Sequence, residues 1–351
     1  MNSRKNSKYF LSLVGLLLAL CPLFADSAFR SYGNEHLELT GGPGGSVFGQ
    51  LWGLYHAGSD NVRYNSMALE SDKEHLLFLF HSLLYDQLVT ATTGAYAFPL
   101  FKDKLASVML SRVTVDHIPD TRSALLDWGK DGIPGTHDEG EGNNQLDAGE
   151  WLDYDQVSYH SSGITTISMG TPLGNFSDFQ TAITINAIMM KLIAENGFGL
   201  TFDFHFYKKG ERFHSLYALK QLPLGVTAYT DGSVELYSPY IESAWTMPLS
   251  FGPFLLNPGL TMRYLPGYER HEGVNIGSFG NLMVRPGVMM DFKSLISLGT
   301  SYDSRQRFSL FTAVSLNFLT VEYAFRMNSH TLLGNSHLVA ISFDPSFLLE
   351  D

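Results

Sequence analysis

The stretch "GFGLTFDFHFY", residues 197–207, alternates strictly between large apolar side chains and small or polar ones. Successive side chains of a β-strand point to opposite faces, so this spacing predicts a strand with two unlike faces. The apolar face would carry Phe198, Leu200, Phe202, Phe204 and Phe206, and the opposite face Gly197, Gly199, Thr201, Asp203 and His205. Such a strand needs an apolar environment on one side and a polar one on the other.

The same period of two recurs along most of the chain. It is clear in "TAITINAIMM" (181–190), "RFSLFTAVSLNF" (307–318) and "LTVEYAFR" (319–326). Further runs of this kind lie near residues 75–84, 88–98, 105–115, 157–169, 216–229, 233–250, 254–264, 280–291, 294–302 and 336–343. The pattern predicts an all-β protein of about 14 strands.

A soluble β-sandwich and a membrane β-barrel both show this alternation, and composition distinguishes between them. A soluble sandwich normally places many Lys and Glu residues on its solvent face, whereas these strands offer Gly, Thr, Ser, Asn and Ala opposite their apolar rows. Only 17% of the residues are charged, against about 25% in average soluble proteins. A sheet in lipid must close on itself to satisfy its backbone, so we expect an antiparallel transmembrane β-barrel in the bacterial outer membrane, in contact with lipid. The net charge of −12 argues against a nucleic-acid partner.

The first 25 residues have the pattern of an export signal. Basic residues precede the apolar run "YFLSLVGLLLAL", and Ala25 offers a small residue at a plausible cleavage point. A single membrane anchor is the alternative, but the run is shorter than the roughly 20 residues that span a bilayer. Lipidation at Cys21 is a further alternative. We expect residues 1–25 to be a signal peptide.

Residues 26–73 lack the strand alternation. The segment opens with a Gly/Pro cluster, and its apolar residues Leu51, Leu54, Tyr55 and Ala57 follow a spacing closer to a helix. We expect a short hatch segment folded inside the barrel, with residues 74–351 forming the barrel itself. A periplasmic tail is the alternative.

Two stretches resemble a known family. "AGSDNVRYNSMALE" (57–70) resembles the Asn-Pro-Ala element near the mature N-terminus of FadL/PorV-type outer-membrane proteins, although Asn65-Ser66-Met67 stands in its place. "VEYAFRMNSHTLLGNSHLVAISF" (321–343) resembles the C-terminal end of the same family. The resemblance implies a 14-stranded barrel with an N-terminal hatch in its lumen.

The resemblance leaves two functions open. FadL-type barrels move hydrophobic molecules across the outer membrane, which implies passive uptake of a hydrophobic or amphipathic small molecule. PorV-type barrels engage exported proteins of a secretion system at the cell surface. A structural or adhesive surface protein is a third possibility. The sequence has no catalytic motif such as Gly-x-Ser-x-Gly or His-Glu-x-x-His, so we do not expect an enzyme.

A long acidic loop is predicted between the third and fourth strands, over residues 116–156. Its centre, "HDEGEGNNQLDAGEWLDYD" (137–155), contains a frame for a twelve-residue calcium loop. The frame would bind Ca²⁺ through Glu139, Glu141, Asn143, the carbonyl of Gln145, Asp147 and Glu150. A solvated acidic loop without a metal is the alternative. External loops of outer-membrane barrels are the long ones, so we expect this loop to be extracellular.

Overall fold

The computed structural model describes residues 35–56, 58–67, 77–84, 87–101, 104–193, 195–237, 239–266, 274–275, 280–316, 318–327 and 334–343. The predicted signal peptide lies outside the described residues, as do both ends of the predicted hatch segment. The bounds that the sequence predicted for these two segments therefore stay predictions.

Fourteen antiparallel strands form one closed barrel. They are β1 (Leu77–Leu84), β2 (Val89–Phe101), β3 (Lys104–Asp120), β4 (Ser158–Phe176), β5 (Phe179–Lys191), β6 (Asn196–Lys209), β7 (His214–Tyr229), β8 in three segments (Val234–Tyr237, Tyr240–Thr246 and Leu249–Phe251), β9 (Phe254–Pro266), β10 (Gly280–Phe292), β11 (Ile296–Tyr302), β12 (Phe308–Ser315), β13 (Leu319–Met327) and β14 (Ser336–Phe343). The last strand pairs with the first, from Leu77 opposite Phe343 to Leu83 opposite His337. This closure confirms the predicted architecture.

The strand faces follow the sequence alternation. In β6, Phe198 on the outer face is 57% exposed, while Thr201 and His205 on the inner face are fully buried. In β13, Glu322 and Arg326 point inward and are buried. The outer face therefore carries the apolar band that a lipid environment requires. Its exposed members include Leu79, Leu110, Ile167, Ile185, Leu200, Leu298, Leu310, Val321, Val339 and Ile341.

The two ends of the barrel differ in the length of their connections. At the end where β1 begins and β14 ends, the turns contain two to four residues. The opposite end carries the longer connections, including residues 121–157 between β3 and β4. Short turns face the periplasm in outer-membrane barrels, so the long loops are assigned to the cell exterior. β3 continues to Asp120, so the first residues of the predicted loop are strand.

Residues 35–67 fold inside the barrel, and we call their described part the plug. It consists of short helical pieces: a 3-10 turn (Glu35–Thr40), α1 (Gly42–Phe48), a 3-10 turn (Gly49–Leu51), α2 (Trp52–Tyr55) and a 3-10 turn (Ser59–Arg63). In the plug, α1 packs against β11 to β14, while the turn at 59–63 packs against β2, β3 and β4. No helix in the described residues is long and apolar enough to cross a membrane.

Candidate functional site: the plugged lumen

The plug is held together by polar contacts that join the stretch resembling the family element to residues 52–56. Asp60 accepts a hydrogen bond from Nε1 of Trp52 at 2.8 Å and pairs with His56 at 3.3 Å. The ring of His56 stacks on Trp52 with centroids 4.6 Å apart. Asn65 donates from Nδ2 to the carbonyl of Gly53 at 2.8 Å. This asparagine therefore fastens the end of the plug to α2.

Polar side chains of the wall satisfy the carbonyl groups that the short helices leave unpaired. Arg326 donates to the carbonyl of Ser46 at 2.6 Å, and Ser301 donates to that of Val47 at 2.6 Å. Thr184 donates to the carbonyl of Val62 at 2.6 Å. These contacts tie the plug to strands on several sides of the barrel.

One aromatic residue anchors the plug to the barrel wall through apolar packing. Phe48 is fully buried, and its ring lies 5.2 Å from Tyr55 and 5.7 Å from Phe311, edge to face in both cases. Gly299 lies directly beneath the ring, because a Cβ placed there would approach Phe48 to 2.4 Å. The wall therefore needs glycine at this position for α1 to dock.

The plug separates two cavities. The inner cavity, of about 500 Å³, lies at the short-turn end between the plug and strands β10 to β14. Its lining divides about equally between apolar side chains and polar ones, and the polar ones comprise five Ser and Thr side chains, His56, Lys293 and two carboxylates. It includes Trp52, Tyr55, Met289, Asp291, Leu295, Phe311, Leu316, Phe318 and Glu322.

The outer cavity, of about 50 Å³, lies on the long-loop side of the plug. Its lining is densely charged and consists mainly of basic side chains. The charged members are Glu38, Arg63, Asp203, Lys220, Glu242, Arg263, Arg285, Arg307 and Arg326.

Burial controls the protonation of plug residues near the outer cavity. Desolvation, helped by the positive charge of Arg63, lowers the pKa of His36 to about 3. His36 is therefore neutral at physiological pH and faces the Thr166 hydroxyl at 3.3 Å. Desolvation also lowers the pKa of Arg63 to about 10, so this guanidinium keeps its charge.

In the acidic loop, two of the carboxylates that are predicted to bind calcium accept hydrogen bonds from backbone N–H groups. The Glu150 carboxylate accepts from the N–H groups of Gly129 at 2.8 Å and Asp147 at 2.9 Å. The Glu141 carboxylate accepts from the N–H groups of Gly135 and His137.

Other members of the predicted ligand set make pairwise contacts. Glu139 lies 3.8 Å from Lys130, and Asn143 donates to Asp147 at 2.7 Å and accepts from the N–H of Gln145 at 2.7 Å. Asn144, at the sixth position of the frame, has φ of 59°, in the left-handed region that the frame requires there.

No group of three or more His, Cys, Asp or Glu side chains converges as a metal site in the described part of the chain. Calcium binding therefore stays a prediction. The carboxylates would have to give up their hydrogen bonds to N–H groups in order to bind the ion.

We expect millimolar Ca²⁺ to slow proteolysis of residues 121–157 at least tenfold relative to chelator. Glu150→Gln should lose the calcium dependence even if its basal cleavage also rises. Equal cleavage of the native protein in calcium and chelator would leave the metal-free acidic loop.

No protein-family model and no curated protein sequence matches the chain. Among solved structures, the P. putida toluene transporter TodX matches with a TM-score of 0.50 at 7% identity, over 82% of this chain and 94% of that chain. The Ralstonia pickettii toluene transporter TbuX gives 0.49 at 6% identity, over 86% and 98%. A Pseudomonas aeruginosa FadL homologue gives 0.46 at 10% identity, over 86% and 98%. At this identity the TodX match establishes the fold alone, and it confirms the barrel that the resemblance implied.

Proposed function

We propose that this outer-membrane barrel takes up hydrophobic or amphipathic small molecules passively. The inner cavity carries the proposal. Its volume of about 500 Å³ lies within the range of roughly 300–1,000 Å³ that is usual for small-molecule sites. Its lining combines apolar side chains such as Trp52 and Phe311 with about as many polar ones, among them Asp291 and Lys293, which suits an amphipathic ligand. TodX, which shares the fold, is a toluene transporter.

The plug is the element that must move for a ligand to pass. It lies between the two cavities, and residues of α1 face the outer one while Trp52, Tyr55 and His56 face the inner one. The plug is fastened to the wall by single hydrogen bonds, each worth about 1 kcal/mol in net terms, and by the packing of Phe48 against Phe311. A segment held in this way can shift without breaking the strand pairings of the barrel.

Engagement of exported proteins at the cell surface is the second candidate. The observation that favours it is the loop at 121–157, which exposes Trp151 and Tyr154 beside many carboxylates. In that case deletion of the loop would abolish export of a partner protein and leave small-molecule uptake unchanged.

A disulfide between plug and wall tests the uptake proposal. The hydroxyl oxygens of Ser66 in the plug and Thr184 in β5 lie 2.9 Å apart, so cysteines at both positions can bond with a small shift. We expect Ser66→Cys/Thr184→Cys to reduce entry of N-phenyl-1-naphthylamine into intact cells at least tenfold when oxidised. Reduction should restore entry, because only plug movement has been blocked.

The single variants Ser66→Cys and Thr184→Cys are the matched controls, and neither should respond to oxidant. Equal entry through the oxidised and reduced double variant, with the disulfide verified by mass spectrometry, would exclude plug movement as the gate. Entry no faster than in cells that lack the protein would exclude uptake of this probe altogether.

A further inference from the structure

Glu322 in β13 is a carboxylate buried between the barrel wall and the plug. It is 1% exposed and borders the inner cavity together with Trp52 and His56 of the plug. Its partners in register on the adjacent strands are Ala313 in β12 and Ala340 in β14, and neither offers a polar side chain. Polar groups that act on this carboxylate therefore have to come from the plug.

The plug places three polar groups near Glu322. They are the ring of His56, the carboxylate of Asp60 and the N–H of Gly44 in α1. His56 pairs with Asp60 at 3.3 Å, and Asp60 also accepts from Nε1 of Trp52 at 2.8 Å. Neither oxygen of Glu322 has a hydrogen-bond partner in the described structure. The seated plug thus provides partners for Asp60 but not for Glu322.

An ionised carboxylate is unfavourable at this position. Burial removes the water that would solvate the charge, and no hydrogen bond replaces that water. The negative charge of Asp60 adds repulsion, and His56, already paired with Asp60, would have to serve both carboxylates. A protonated Glu322 avoids these costs because it is neutral. When the plug moves away, water can reach Glu322 through the inner cavity, and an ionised carboxylate can then be solvated.

We propose that Glu322 controls the seating of the plug by binding a proton: the plug covers the protonated side chain, and ionisation of Glu322 favours release of the plug. The seated state then holds one proton more than the released state. Release therefore becomes easier as the pH rises, by up to tenfold for each pH unit over the range in which only the released state is ionised. The proposal concerns the plug itself, and only its consequence for uptake rests on the proposed function.

Amide hydrogen exchange in peptides from α1 and α2 tests the proposal on the folded protein in a nonionic detergent. Wild type and Glu322→Gln are compared at the same pH, so that the intrinsic pH dependence of exchange cancels. We expect the ratio of the wild-type rate to the Glu322→Gln rate to rise at least tenfold from about pH 5 to about pH 8, because glutamine keeps the shape of the side chain but cannot ionise. A ratio that stays constant would overturn the proposal.

Asp291→Asn is the matched control. Asp291 borders the same cavity, but its carboxylate accepts from Nδ2 of Asn257 at 3.2 Å and from the hydroxyl of Ser297 at 2.5 Å. Exchange in the plug of this variant should therefore keep the pH response of the wild type. Loss of the response in Asp291→Asn, with the response kept in Glu322→Gln, would assign it to the wrong carboxylate and overturn the proposal.

The wild-type protein alone provides a second measurement that does not require Glu322→Gln to fold. The exchange rate in α1 relative to that in β14 should rise at least tenfold from about pH 5 to about pH 8, since both segments share the intrinsic pH dependence. An unchanged ratio of these two rates would also overturn the proposal. Neither measurement contains a ligand, so the disulfide test of uptake can fail while the proton dependence holds, and the reverse.

Discussion

Phe48→Ala should release the plug while leaving the barrel closed. Truncation of a fully buried Phe typically costs about 3–5 kcal/mol, because packing is lost and the cavity collapses only in part. Phe48 provides the edge-to-face contacts with Tyr55 and Phe311, and Gly299 leaves a recess that only its ring fills. We therefore expect amide hydrogen exchange in α1 and α2 to accelerate at least a hundredfold, since about 3 kcal/mol corresponds to that factor.

Phe198→Ala is the matched control. It removes the same side chain from β6, but that ring is 57% exposed on the outer face and contacts no part of the plug interior. Exchange in the plug should be unchanged in this variant, and peptides from β13 and β14 should be protected in both. Slow exchange in the plug of Phe48→Ala would show that the hydrogen bonds to the wall, and not this aromatic anchor, hold it in place.

The faces of the strands could be predicted because period two is a local property. The inward positions of Glu322 and Arg326 follow from their alternation with Val321, Tyr323 and Phe325, and no tertiary information is needed. The ends of the strands were less predictable. β3 runs to Asp120, beyond the predicted end near residue 115, because residues near the loop end follow no apolar pattern although their backbone still pairs with β4.

The charged cluster of the lumen could not be predicted from spacing. Arg63 and Lys220 are 157 positions apart, yet Lys220 donates to the carbonyl of Arg63. That contact depends on how the plug is seated and on the register of β7 in a closed barrel.

In the acidic loop, the candidate residues are close together in the sequence, but their hydrogen-bond partners could not be predicted. Its sequence predicted Glu141 as a calcium ligand, which stays a prediction, and the N–H partners of this carboxylate at Gly135 and His137 come from loop turns that spacing does not define.

Loss of a buried ion-pair partner in the lumen should destabilise the protein more than loss of an exposed one, and two lysines of adjacent strands allow a test. Lys220 in β7 has a side chain 6% exposed and lies 3.4 Å from Asp203, whereas Lys208 in β6 is 44% exposed and lies 3.3 Å from Asp178. Removal of one partner from a buried pair leaves an uncompensated charge and costs about 3–5 kcal/mol. An exposed pair contributes about 0–1 kcal/mol. The two ion pairs therefore have similar distances, but removal of one partner is expected to change the free energy of unfolding by very different amounts.

Lys220→Met should accordingly lower the free energy of unfolding by about 3–5 kcal/mol, and Lys208→Met by less than about 1 kcal/mol, as measured by urea unfolding in lipid vesicles. The Asp203 carboxylate would still accept from the N–H of Gln221 at 2.9 Å, but it would have lost its only cation within ion-pair distance in the described structure. Asp203→Asn should therefore restore much of the stability when added to Lys220→Met, because it removes the stranded charge. If the second substitution restores nothing, the loss belongs to the contacts of Lys220 with the Arg63 carbonyl and with Nε2 of His205, and these contacts outweigh the ion pair.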